Sequence, residues 1–212
     1  MTAVRLEEQG SVARREARDA MAAVYDLPVL HTPIDGVELL AAFELDSTEH
    51  ERRRGLGVGA VDCLSLLHGL WLLPAGGTVS LSSIPEVKAT ALMAAPSHAR
   101  IIDDYAIERT YVPAGVIHAV GFLGRNVEQA IHRAARFTPI VERVVLLDPD
   151  SELRAVSARE AREWGVGLLD TASGEFVVRG LAPVTGVPAV YRWWIAELAY
   201  AQLVQESAQP VS

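Results

Sequence analysis

Apolar residues in the second half of the chain recur at two spacings, and these set out an alternation of strands and helices. The runs 116-VIHAVGF-122 and 143-RVVLLD-148 are short and nearly all apolar, the pattern of strands covered on both faces. Between them Val127, Ala130, Ile131, Ala134 and Ala135 fall three and four positions apart. That spacing predicts a helix over 127–137, with Asn126 as its N-cap. The segment 157-SAREAREW-164 predicts a second helix, with Ser157 as N-cap, Glu160 at the capping-box position and Gly165 as the stop. VGLLD, 166–170, and EFVVR, 175–179, predict two more strands around a turn. Val190 to Gln205 predicts a closing helix with its aromatic face on the body. Upstream, residues 98–112 read as one or two strands, and Pro113-Ala-Gly115 as a hairpin turn leading to a half-buried His118. The resulting order β-β-α-β-α-β-β-α is that of an α/β domain with helices packed on a sheet.

The first half is less decisive. Residues 11–25 predict a helix with Ser11 as N-cap, ended by Leu27-Pro28. VELLAAFEL, 37–45, fits a buried strand or a short helix. The stretch 58–73 fits a buried helix or two short strands turning at His68-Gly69. TVSLSSI, 78–84, alternates as a strand does, and EVKATALMAA either continues it or begins a helix. Pro96-Ser97 breaks the pattern. The expected division is an N-terminal region, 1–95, as an extension of unclear structure or part of the same domain, and an α/β core, 96–212. No internal repeat is present.

Composition narrows the function classes. The chain has 212 residues, enough for one domain with a sizeable core, or one domain and a small extension. Half the residues are hydrophobic and 22% are charged, an ordinary globular balance. Net charge is −8, so any contact with nucleic acid must come from a local arginine patch. Cys63 is the one cysteine, which rules out an intramolecular disulfide and fits a reducing compartment. The first residues are too charged for a signal peptide, and no apolar run approaches the roughly 18 residues that span a bilayer. A cytoplasmic protein without membrane contact is expected. Of the 19 basic residues only Lys88 is a lysine, so chemistry that needs one has a single candidate.

Over 115–182, and most of all in 126-NVEQAIHRAARFTPIVERVVLLD-148 and 158-AREAREWGVGLLD-170, the chain resembles the restriction-endonuclease-like, or PD-(D/E)XK, superfamily. The resemblance lies in a Gln-Ala helix, an apolar strand, a short helix and a Gly-Val-Gly-Leu-Leu strand. It implies a mixed central sheet flanked by helices. It also implies an acidic residue on one strand and Glu-x-Lys on the next, with the carboxylates holding Mg²⁺ and the lysine helping to activate water. In the implied register Ala119 and Gly121 of VIHAVGF stand where Glu and Lys belong, and neither can bind a metal or move a proton. Asp103, Asp104 and Glu108 lie upstream as sources of the lone acid. A second Glu-x-Lys exists at Glu86 and Lys88, with Asp62 upstream as the accompanying carboxylate and metal ligand. The Gln-Ala helix does not follow it directly, as the family pattern requires.

Two surfaces remain. Arg125, Gln129, His132, Arg133 and Arg136 sit on or beside the Gln-Ala helix, with Arg143 close by, at spacings suited to pairing with phosphates. Trp193 and Trp194 on the last helix cannot both point inward, since neighbours differ by about 100° around a helix. They are candidates for an interface with a partner protein or a second copy. Arg52-Arg53-Arg54-Gly-Leu-Gly-Val-Gly reads as a hinge beside a solvated charge run, or as a loop gripping a nucleic-acid backbone. The leading expectation is a nuclease-like protein with a degenerate site, binding nucleic acid or a protein rather than cutting, and needing no cofactor. One alternative is an active Mg²⁺-dependent nuclease using Asp62, Glu86 and Lys88. The other is a structural or oligomer-forming protein.

Overall fold

The alternation read from residues 115–179 appears in the fold as strand, helix, strand, helix, strand, strand. The computed structural model describes residues 2–34, 36–103, 105–124, 126–137, 140–148, 153, 155–184 and 189–208, with side chains from residue 12 onward. The elements run α1 (Thr2–Tyr25), β1 (Val29–His31), β2 (Leu39–Leu45), α2 (Ser47–Leu56), α3 (Leu64–Leu72), β3 (Thr78–Ser80), α4 (Glu86–Met93), β4 (Ala99–Asp103) and β5 (Ala106–Arg109). They continue with β6 (Gly115–Leu123), α5 (Val127–Arg136), β7 (Glu142–Leu147), α6 (Ala155–Trp164), β8 (Gly167–Asp170), β9 (Glu175–Val178) and α7 (Ala189–Ala208).

The fold is α/β, and the chain forms two compact units. One is built from residues 1–44 and 117–187, the other from 45–116 and 188–212. Each unit takes two stretches of chain, so these limits do not coincide with a single break near residue 95. The second unit is largely an insertion between β2 and β6, strands that are neighbours in the first unit's sheet.

The first unit holds a mixed six-stranded sheet, ordered β1-β2-β6-β7-β8-β9 among the described residues. Strands β6, β7 and β8 are parallel, while β1–β2 and β8–β9 are antiparallel. Ala17 and Met21 of α1 pack on Val29, Leu40, Ala42, Ala119, Val144, Leu146 and Leu169, which all lie on one face of the sheet. Helices α5 and α6 pack against β7 and β8. Covered strands need no polar alternation, which is why β7 reads as a continuous apolar run, buried from Arg143 to Leu147. Asn126 caps α5 as expected, its side chain accepting the Gln129 N–H at 3.0 Å. Gly165 stops α6 with φ +63°, the left-handed conformation that glycine adopts without strain.

The second unit joins a three-stranded antiparallel sheet, ordered β3-β5-β4, to α2, α3, α4 and α7. Its core is Val61, Leu67, Leu70, Leu73, Ile84, Leu92, Ala99, Ile107, Tyr111 and Val190. The open alternatives of the first half settle here. Residues 39–45 form a strand, 64–72 form one helix, and the chain turns helical at Glu86. Helix α1 begins well before Ser11. Among the described residues no helix is long and apolar enough to cross a membrane.

Candidate functional site

Strand β6 decides what the first unit can do. Ala119 is fully buried beneath α1. A Cβ on Gly121 would stand 2.8 Å from Leu146 Cδ1 and 2.9 Å from Met21 Sδ. Ala119 is buried and a side chain at Gly121 would crowd two core side chains, so the positions that the resemblance assigns to Glu and Lys are core positions here. The upstream acids lie elsewhere. Asp103 and Glu108 belong to the three-stranded sheet, where Glu108 accepts a bond from Arg100 at 2.6 Å. Asp104 lies outside the described residues. The acid that β6 does meet is Glu44 of β2, whose Oε2 is 2.7 Å from Nε2 of His118. Both side chains are exposed, His118 by 42% and Glu44 by 59%, so this is a surface pair rather than a buried centre.

The second Glu-x-Lys lies on a helix, not a strand. Glu86 opens α4 and Lys88 follows in its first turn, so the two diverge by about 200° around the axis. The Lys88 ammonium turns to Ser65, 3.3 Å from its hydroxyl and 3.5 Å from its carbonyl. Asp62 and Glu86 are exposed, and among the described residues neither forms an ion pair with Lys88. No group of three or more His, Cys, Asp or Glu side chains stands together, among the described residues, as a metal site.

Helix α5 carries the remaining candidates. Val127, Ala130, Ile131 and Ala134 are buried, which turns Gln129, His132, Arg133 and Arg136 outward as one stripe. Arg133 donates to its own helix at Gln129 O and to Leu123 O, both at 3.4 Å. Among the described residues neither Arg133 nor Arg136 has a carboxylate partner. His132 lies 3.9 Å from Glu160 of α6. Arg125 lies outside the described residues. Arg143 does not join the stripe. It is buried and donates to Ala134 O, Phe137 O and Trp164 O at 3.4, 3.3 and 2.8 Å, closing the C-terminal ends of α5 and α6. Burial pulls its pKa down.

A buried polar cluster in the second unit combines residues far apart in sequence. Arg53 is fully buried and donates twice to Glu197 of α7, at 2.7 and 2.8 Å, and to Glu49 at 2.6 Å. Glu197 also accepts from Tyr111 Oη and the Val61 N–H, both at 2.8 Å. The Arg53 guanidinium lies over the rings of Tyr111 and Tyr200. Burial alone would lower the pKa of Arg53, but Glu197 and Glu49 outweigh it and raise it. Burial and the Glu197 charge push Tyr111 up. With every carboxylate oxygen answered, the cluster is a structural clamp. The arginine run is therefore part of helix α2, with Arg53 inside, and neither a hinge nor a phosphate loop. Trp193 and Trp194 are both half-buried against the core, and Trp193 stacks beside Tyr111 and Arg109.

No family model, no curated protein and no solved structure matches the chain.

Proposed function

We propose that the chain is a nuclease-like protein without a catalytic centre, which binds nucleic acid, or failing that a protein partner, through α5. The observation that carries this reading is the outward stripe of Gln129, His132, Arg133 and Arg136, whose two arginines have no acidic partner among the described residues. Two exposed guanidiniums, of which Arg133 spends two donors on long bonds to backbone carbonyls, together with a histidine and an amide on one helix face suit phosphate oxygens, which accept N–H donors. The restriction-endonuclease-like resemblance supports it through the helix and strand order from β6 to β8. The core packing at Ala119 and Gly121 supports binding without cleavage. Because net charge is −8, attachment to a polyanion rests on this local patch and is weak.

Fluorescence anisotropy with labelled single-stranded and duplex DNA tests it. Affinity should fall with salt, with a log–log slope of roughly −0.7 to −0.9 per phosphate neutralised. R133A/R136A should weaken binding to every sequence alike and flatten the slope by about two. Salt-independent binding, or binding untouched by the double variant, would remove α5 from the account.

A further inference from the structure

The three-stranded sheet of the second unit ends in an open edge at β4, and we infer that this edge pairs with β4 of a second copy of the chain. The proposal concerns a surface separate from α5 and from the tryptophans of α7, and it does not depend on nucleic-acid binding. Strand β4 is last in the order β3-β5-β4, and Arg100, Ile101, Ile102 and Asp103 are all exposed. Ile101 and Ile102 are 49% and 48% exposed, and Tyr105 at the adjoining turn is 78% exposed.

The register indicates the partner. Along β5, Arg100 pairs with Glu108, Ile101 with Ile107 and Asp103 with Ala106, so Ile102 is an inserted residue. The insertion places Arg100 and Asp103 on the same face, with Ile101 between them in register. A two-fold axis through Ile101, perpendicular to the sheet, then sets Arg100 opposite Asp103 of the other copy, twice, and Ile101 opposite Ile101. Arg100 also donates to Glu108 of its own sheet at 2.6 Å but stays 64% exposed, so its guanidinium can serve both carboxylates, and an antiparallel copy of the same strand satisfies the pattern twice over. The product is one continuous six-stranded sheet. A five-residue edge is small beside the roughly 1,600 Å² of a standard interface, so the dimer is weak and is sought up to about 1 mM chain.

Sedimentation equilibrium of the whole chain across that concentration range gives the test. Wild type should shift from monomer to dimer mass, and I101K should raise the dissociation constant at least tenfold. R100D and D103R should each be monomeric, because each faces its own charge, and an equimolar mixture of the two should dimerise again. Circular dichroism confirms that each variant is folded, and the mixing experiment stands even where I101K is not. A wild-type chain that stays monomeric, a dimer unaffected by I101K, or a mixture that stays monomeric would overturn the proposal.

Discussion

At the scale of single residues, the clearest commitment is Glu197. It answers one guanidinium, one phenol and the backbone N–H groups of Val61 and Ala114 in a buried site. Removing one partner of a buried pair leaves the other charge uncompensated, so Glu197→Ala should destabilise the second unit by about 3–5 kcal/mol in urea titration. Unchanged stability would refute the clamp. Acid should weaken the same region in two stages. Burial, then Arg53, depress the pKa of His98, whose Nδ1 has no hydrogen-bond partner among the described residues. A group depressed in the folded state keeps its contribution above its unfolded pKa, so this part is lost as pH falls below about 6.5. For Glu49, burial pushes the pKa up, but Arg52 and Arg53 outweigh it and leave it depressed. Its contribution is lost as pH falls below about 4.3. H98F, which retains the edge contact with Tyr111, should abolish the first stage and leave the second. An unaltered stability–pH curve in H98F would count against this assignment. None of this was legible in the sequence, because Arg53 and Glu197 meet only through folding and neither belongs to a motif.

At the scale of elements, the legible parts are those where one local signal decides. Asn126 and Gly165 fixed the start of α5 and the end of α6 because a cap acts within one turn. The apolar runs of β7, β8 and the second half of β6 were legible because both faces of the sheet are covered there, whereas Val116 and His118 at the start of β6 are exposed. Glu86-x-Lys88 was ambiguous, since strand-like TVSLSSI leads into it and periodicity does not distinguish a short strand from a helix start. The structure resolves it as α4, after a 3₁₀ turn at Leu81–Ser83. The tryptophan pair was half legible. Adjacent positions do diverge, but two large rings at the margin of a core each find partial cover. The packing of β6 carries a prediction of its own. Gly121→Val forces atoms into Leu146 and Met21 and should cost about 1–3 kcal/mol by overpacking. Placing Glu and Lys at 119 and 121 should therefore destabilise the first unit, since both charges would enter its core. A stable, metal-binding A119E/G121K variant would contradict the packing.

At the scale of the whole molecule, a mixed six-stranded sheet, interrupted between β2 and β6 by a second compact unit, was not foreseen from composition. Both units draw on distant stretches of chain, and nothing in a local window announces a strand's neighbour. The central claim is binding through α5 without cleavage, and one experiment addresses both halves. Labelled single-stranded and plasmid DNA would be incubated with the protein and Mn²⁺, and binding and strand integrity read from the same samples. Wild type should bind and leave the DNA whole, R133A/R136A should lose binding, and E86A should match wild type. Cleavage by wild type that disappears in E86A would contradict the account and place an active site on α4.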